Sequence, residues 1–75
     1  MDKKELISLG EQLRGIGHRR RELAERVYSE VQEGDTRDSR ALYEELAYVT
    51  TQAIGLMEKQ RTILQDEIAQ MPVQF

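Results

Sequence analysis

The sequence predicts an all-α protein, folded as one antiparallel hairpin of two long helices. Apolar residues recur at alternating three- and four-residue steps along both halves of the chain, the spacing of one helical face. Near the middle, Gly34 and Asp35 combine a residue that ends helices with a residue that begins them. On either side of that point, apolar positions in the first half match apolar positions in the second half.

The first helix is predicted over about 3–33. Asp2 and Glu5 have the spacing of an N-cap and an acidic third helical position. Gly34 is the residue type most often found just after a helix end. Between these two ends, one face of the helix is apolar except at Arg20. It consists of Leu6, Leu9, Leu13, Ile16, Leu23 and Val27.

The second helix is predicted over about 37–71. Asp35 or Thr36 can cap it, and Asp38 adds negative charge to its first turn, where the helix dipole favours an anion. Pro72 cannot easily continue the helix, so the helix should end just before it.

A turn at about 34–36 joins the two helices, residues 72–75 form a short tail, and residues 1–75 make one domain. A turn this short returns the chain antiparallel to itself. If the turn centres between Thr36 and Arg37, apolar residues face one another along the hairpin. The predicted pairs are Val31 with Leu42, Val27 with Leu46, Leu23 with Val49, Ile16 with Met57, and Leu9 with Leu64.

Two features of this predicted seam are unusual. Arg20 falls opposite Ala53, and it either fixes the register or packs its stem while its charged head reaches water. Gly17 and Gly55 fall near each other, where they either permit a close approach of the backbones or weaken the first helix.

The second helix carries a further apolar stripe, about 100° around its axis from the seam. One neighbouring helix covers one stripe well and would leave the other in water on a monomer. We therefore expect a homodimer in the form of a four-helix bundle, or the binding of another protein. The alternative is a broad amphipathic face that one helix covers. The predicted interface residues are Tyr43, Ala47, Thr50, Ile54, Met57, Leu64, Ile68 and Met71.

The most concentrated charge is basic and lies in the first helix. Arg14, His18 and Arg21 share one helical face and Arg19 adjoins them, which makes these four a candidate site for an acidic protein partner or a phosphate. Nucleic-acid binding by a hairpin dimer is the corresponding alternative function. The net charge of −3 and the lack of interleaved aromatic residues argue against nucleic acid as the main partner.

The residue types for catalysis and metal binding are scarce. The chain has no cysteine and one histidine, which excludes a thiolate metal site and makes a zinc site unusual. The acidic pairs Glu22 with Glu25 and Glu44 with Glu45 lack the histidines of a di-metal bundle site, so we interpret them as solvated side chains. We predict no metal, no cofactor and no enzymatic activity, with a small subunit of an enzyme complex as the alternative.

The distribution of apolar residues also bears on location. No stretch approaches the roughly 20 apolar residues needed to cross a bilayer, and the N-terminus lacks the apolar core of a signal peptide. The sequence therefore predicts a cytoplasmic protein without membrane contact. We expect it to act as a small interaction module, such as a regulator, adaptor, co-chaperone or small subunit.

Overall fold

A computed structural model describes residues 3–72 and contains two helices. Helix α1 spans Lys3–Glu33 and helix α2 spans Thr36–Gln70. The two run antiparallel and pack along their length into a rod of about 61 × 20 × 18 Å, which confirms the all-α hairpin. The predicted cap at Asp2 and most of the predicted tail lie outside the described residues.

The turn is built from backbone hydrogen bonds around Gly34. This glycine has a φ of 79°, a left-handed conformation that costs other residues energy. Its N–H donates to the carbonyl of Val31 at 3.1 Å, and the Asp35 N–H donates to the carbonyl of Glu30 at 3.0 Å. These two bonds have the pattern of a Schellman motif, and they satisfy carbonyls that the helix end would otherwise leave unpaired.

Of the two candidate caps for α2, Asp35 is the one the structure uses. Its carboxylate accepts the backbone N–H of Asp38 at 3.0 Å, while Thr36 is already the first helical residue. At the other end the N–H of Met71 donates to the carbonyl of Ile68 at 3.2 Å, just before Pro72.

The core is a single seam between the helices. Its most buried members are Leu9, Leu23, Val49 and Ala53, each no more than 5% exposed. Further residues of α2 are half-buried along the same line, namely Leu42, Leu46, Leu56, Gln60, Ile63 and Glu67. A core this narrow buries little apolar surface, which is expected for so short a chain.

At both ends the seam differs from the predicted pairing. Leu56 and Ile63 lie half-buried in it, whereas Met57 and Leu64, the predicted partners of Ile16 and Leu9, are 54% and 45% exposed. A shift of one residue rotates a helical side chain by about 100°, so pairing by sequence number alone cannot separate these neighbours.

Near the turn, Val31 is also exposed, contrary to its predicted pairing with Leu42, while Glu30 is half-buried. The backbone carbonyl of Glu30 accepts a hydrogen bond from the backbone N–H of Asp35 in the turn. At this end of the seam, Glu30 and Asp35 are half-buried and Val31 is not.

Of the two alternatives for Gly17 and Gly55, the structure does not have the close approach of the backbones. A methyl group added to either glycine would meet no neighbouring atom within 4 Å, so neither is needed for the helices to approach. Helix α1 is also continuous through Gly17. Within residues 3–72, neither helix is both long and apolar enough to cross a membrane.

Candidate protein-binding face

The predicted interface residues of α2 form one exposed apolar line, here called the α2 stripe. Tyr43 is 61% exposed and Ile54 53% exposed, and the neighbouring large side chains are comparable. Among the eight, Thr50 alone is half-buried. The stripe spans about 42 Å from its first to its last residue at 1.5 Å per residue. Its members are Tyr43, Ala47, Thr50, Ile54, Met57, Leu64, Ile68 and Met71, with Arg61 interrupting it.

The stripe is exposed because of its position relative to the seam. Nearly every member follows a seam residue by one position, as Thr50 follows Val49 and Ile54 follows Ala53. One position corresponds to about 100° around the helix, so α1 covers the seam and cannot also cover the stripe. The exposure of the stripe is confirmed, whereas binding by it stays a prediction.

Helix α1 presents a second row on the same side of the hairpin. Two antiparallel helices in contact are related by a local twofold axis normal to the plane that contains both helix axes. Rotation about this axis keeps each side chain on the same side of that plane. The residues one position after the seam residues therefore lie on the same side of the hairpin in both helices. Val31 and Tyr43 accordingly line one groove near the turn. This α1 row consists of Ile7, Gly10, Arg14, Gly17, Arg21, Ala24, Tyr28 and Val31. We call the α2 stripe, Arg61 and the α1 row together the docking face.

A polar contact lies near the middle of the docking face. The Nε of Arg20 donates to the Oγ1 of Thr50 at 3.0 Å, and Thr50 in turn donates its hydroxyl hydrogen to the carbonyl of Leu46 at 2.8 Å. Arg20 itself is exposed, and this hydrogen bond joins α1 to α2. The hydrogen bond holds the guanidinium beside the α2 stripe.

The structure separates the four residues of the predicted basic site. Arg14 and Arg21 belong to the docking face, and His18 lies further round α1 on its outer side. Arg19 turns to the opposite side of the hairpin, where its guanidinium forms an ion pair with Glu45. Consecutive helical residues point about 100° apart, so the run of arginines cannot act as one surface.

The side of the hairpin opposite the docking face is polar. A groove there is lined by Gln12, Gln52 and Lys59, and the amide of Gln52 donates to the hydroxyl of Tyr48 at 3.4 Å. Tyr48 is 64% exposed, about as much as Tyr43, but it has no apolar stripe around it. It provides a matched control for residues of the docking face.

An acidic cluster at the turn was not anticipated from the sequence. Carboxylate oxygens of Glu30, Asp35 and Asp38 lie within 4.8 Å of one another. The backbone N–H of Asp38 lowers the pKa of Asp35. Partial burial, and then the charge of Glu33, raise the pKa of Glu30, while the side-chain hydrogen bond with Asp35, and then its charge, raise the pKa of Asp38. The cluster combines residues from both sides of the chain reversal, so no residue spacing within one helix predicts it. One of its members, Asp35, is also the N-cap of α2.

The described part of the chain holds no buried polar or charged side chain. Catalytic sites usually rely on such groups in a concave, water-excluding pocket. The prediction that the protein is not an enzyme rests on the residue types in the sequence, and it stays a prediction. No protein-family model, no curated protein and no solved structure gives a significant match to this chain.

Proposed function

We propose that this protein is a small, non-catalytic protein–protein interaction module of the cytoplasm. It acts by packing a helix of another polypeptide against the docking face, in the manner of a regulator, adaptor, co-chaperone or small subunit. The observation that carries the proposal is the α2 stripe, a line of large apolar side chains along α2 that its own chain leaves uncovered.

The apolar surface of the stripe is large enough to support binding. Complete burial of a Leu, Ile or Met side chain contributes about 1.5–3 kcal/mol. Ile54, Met57, Leu64, Ile68 and Met71 are all roughly half exposed or more. Covering these five would contribute roughly 5 kcal/mol, before the entropy cost of association. Among residues 3–72, the intrachain core has four well-buried residues, all in the seam. Chains of this size commonly gain stability from a partner.

The polypeptide that covers the face is either a second copy, which would give a four-helix bundle, or a different protein. Light scattering over micromolar concentrations measures self-association. Capture from the native cell, quantified by mass spectrometry, measures binding to other proteins. Both are repeated with the variant Ile54→Asp plus Leu64→Asp and with the control Tyr48→Asp.

The proposal expects one association, with itself or with another protein, that the double variant abolishes and the Tyr48→Asp control retains. Circular dichroism should show that both variants are still helical, because all three side chains are exposed. Two results together would refute the proposal: the native chain stays monomeric, and the native chain and the double variant capture the same proteins.

Nucleic-acid binding is the second candidate, because Arg14 and Arg21 do share the docking face. It predicts that Arg14→Glu plus Arg21→Glu abolishes binding to RNA or DNA, and that added salt weakens binding steeply. The apolar stripe between the basic residues has no role in that function, which is why we favour a protein partner.

A further inference from the structure

The charges on the docking face are all of one sign. Arg14 and Arg21 of the α1 row and Arg61 within the α2 stripe are its charged positions, and neither row contains an aspartate or glutamate. The hydrogen bond to Thr50 adds the guanidinium of Arg20 at the centre of the face. Within residues 3–72, Arg14, Arg21 and Arg61 form no ion pair with a carboxylate.

The rest of the hairpin balances this positive charge. The rows that precede the seam, on the opposite side, contain four acidic and three basic residues, namely Glu5, Glu22, Glu45 and Asp66 with Arg19, Arg26 and Lys59. Four further carboxylates each follow a docking-face residue by one position and border the face, namely Glu11, Glu25, Glu44 and Glu58. A chain with a net charge of −3 therefore presents these two rows with basic charge, and Glu44 borders them near the turn, where it lines the groove with Val31 and Tyr43.

This pattern disfavours a second copy of the chain on the docking face. Two such faces in contact would bring eight guanidinium groups together, with carboxylates at the borders of the faces and none within the rows. Like charges repel more strongly as water is excluded from between them, and unpaired charges lose hydration on burial. A partner with carboxylates opposite these arginines would be attracted instead, because the planar guanidinium of arginine binds carboxylates through paired hydrogen bonds.

We propose that the docking face binds an amphipathic helix of a different protein, whose apolar stripe is bordered by aspartate and glutamate. This inference rests on the proposed function and identifies the partner's chemistry. The partner fits as a helix because the α2 stripe has the alternating three- and four-residue spacing of a helix–helix seam. Beside it, Gly10, Gly17 and Ala24 place small residues along α1, with open space above both glycines. A helix packed on the α2 stripe can approach α1 at these small residues, with Arg14 and Arg21 between them in the same row.

The test uses the full chain and three synthetic helical peptides as probes. The peptides share one set of Leu and Ile positions, and the residues bordering that stripe are all Glu, all Gln or all Lys. Isothermal titration calorimetry at low salt gives the three affinities. We expect the Glu peptide to bind roughly tenfold more tightly than the Gln peptide and the Lys peptide to bind most weakly, since exposed ion pairs each contribute modestly. Added salt should reduce these differences.

Charge reversal on the protein provides the matched comparison. Arg14→Glu plus Arg21→Glu should reverse the order, so that the Lys peptide binds best. Arg19→Glu plus Arg26→Glu reverses two arginines with the same seven-residue separation on the opposite side of α1, and it should leave the order unchanged. Circular dichroism checks that both double variants remain helical.

Several outcomes would overturn the inference. Equal affinity for all three peptides, or no binding of any, would show that the arginines do not select the partner. Tighter binding to anionic lipid vesicles or to duplex RNA than to the Glu peptide would assign the face to another class of ligand. A homodimer that Ile54→Asp dissociates would also overturn it, while leaving the proposed interaction function intact. If substitutions in the α2 stripe alter the binding of no peptide and of no cellular protein, both proposals fail.

Discussion

Two leucines of the hairpin test whether the seam and the α2 stripe are correctly distinguished. Leu23 is 3% exposed in the seam, and Leu64 is 45% exposed on the stripe. Replacing each with alanine removes the same atoms, from an enclosed site in one case and from a half-solvated site in the other. Because the two changes have the same effect on helix propensity, the difference between them reports burial alone.

The expected magnitudes follow from the exposures. Leu23→Ala should lower the free energy of unfolding by about 2–5 kcal/mol, since it removes buried surface and leaves a cavity. Leu64→Ala should lower it by about 1 kcal/mol, because roughly half of its surface is already in water and no cavity forms. Urea unfolding followed by circular dichroism measures both values. A Leu23→Ala chain that is already unfolded in buffer would count as the large effect.

The measurement is made at low and high protein concentration, because a second copy bound to Leu64 would make its effect grow with concentration. Equal destabilisation by the two variants at every concentration would refute the reasoning. It would mean that α1 covers Leu64 and that α2 is rotated relative to the arrangement described above.

Three further predictions concern the turn and the first helix. Asp35→Ala should lower the free energy of unfolding by about 1 kcal/mol through loss of the cap, measured by urea unfolding; an unchanged midpoint would contradict the capping role. Gly34→Ala should destabilise by about 1 kcal/mol because of its left-handed backbone, whereas Gly17→Ala should stabilise by up to about 1 kcal/mol because its added methyl meets no neighbour; thermal melts with the opposite signs would refute this. Glu30→Gln should raise the melting temperature at about pH 7 and have no such effect at about pH 3. Folding raises the pKa of Glu30 from its ordinary value of 4.5. The ionised Glu30 side chain therefore destabilises the folded state at neutral pH, and this destabilisation disappears when the carboxylate is protonated. A rise in melting temperature that persists at about pH 3 would contradict this explanation.

The helices and the turn could be predicted from the sequence because their signals are local. Gly34 and Asp35 adopt the roles that their residue types favour in almost any context. The predicted helix ends agree with the observed ones within one residue. The exposure of the α2 stripe could also be predicted, since it depends only on one helix having two apolar rows and one neighbour.

The remaining features depend on how the two helices are rotated against each other. Met57 and Leu56 are both apolar, so a match of apolar types could not decide which of them faces α1. The same rotation sends Arg19 to Glu45 and Arg20 to Thr50, on opposite sides of the hairpin, although the two arginines are neighbours in the sequence. The one-sided charge of the docking face becomes visible only once that rotation is known.

The most direct test of the central claim is photo-crosslinking in the native cell, with a benzophenone amino acid placed at the position of Ile54 or, as the control, of Tyr48. We expect the probe on the docking face to crosslink to another polypeptide in a single main product, and the probe on the polar side to give little or no crosslinking. Equal crosslinking from both positions, or none from the position of Ile54, would contradict it.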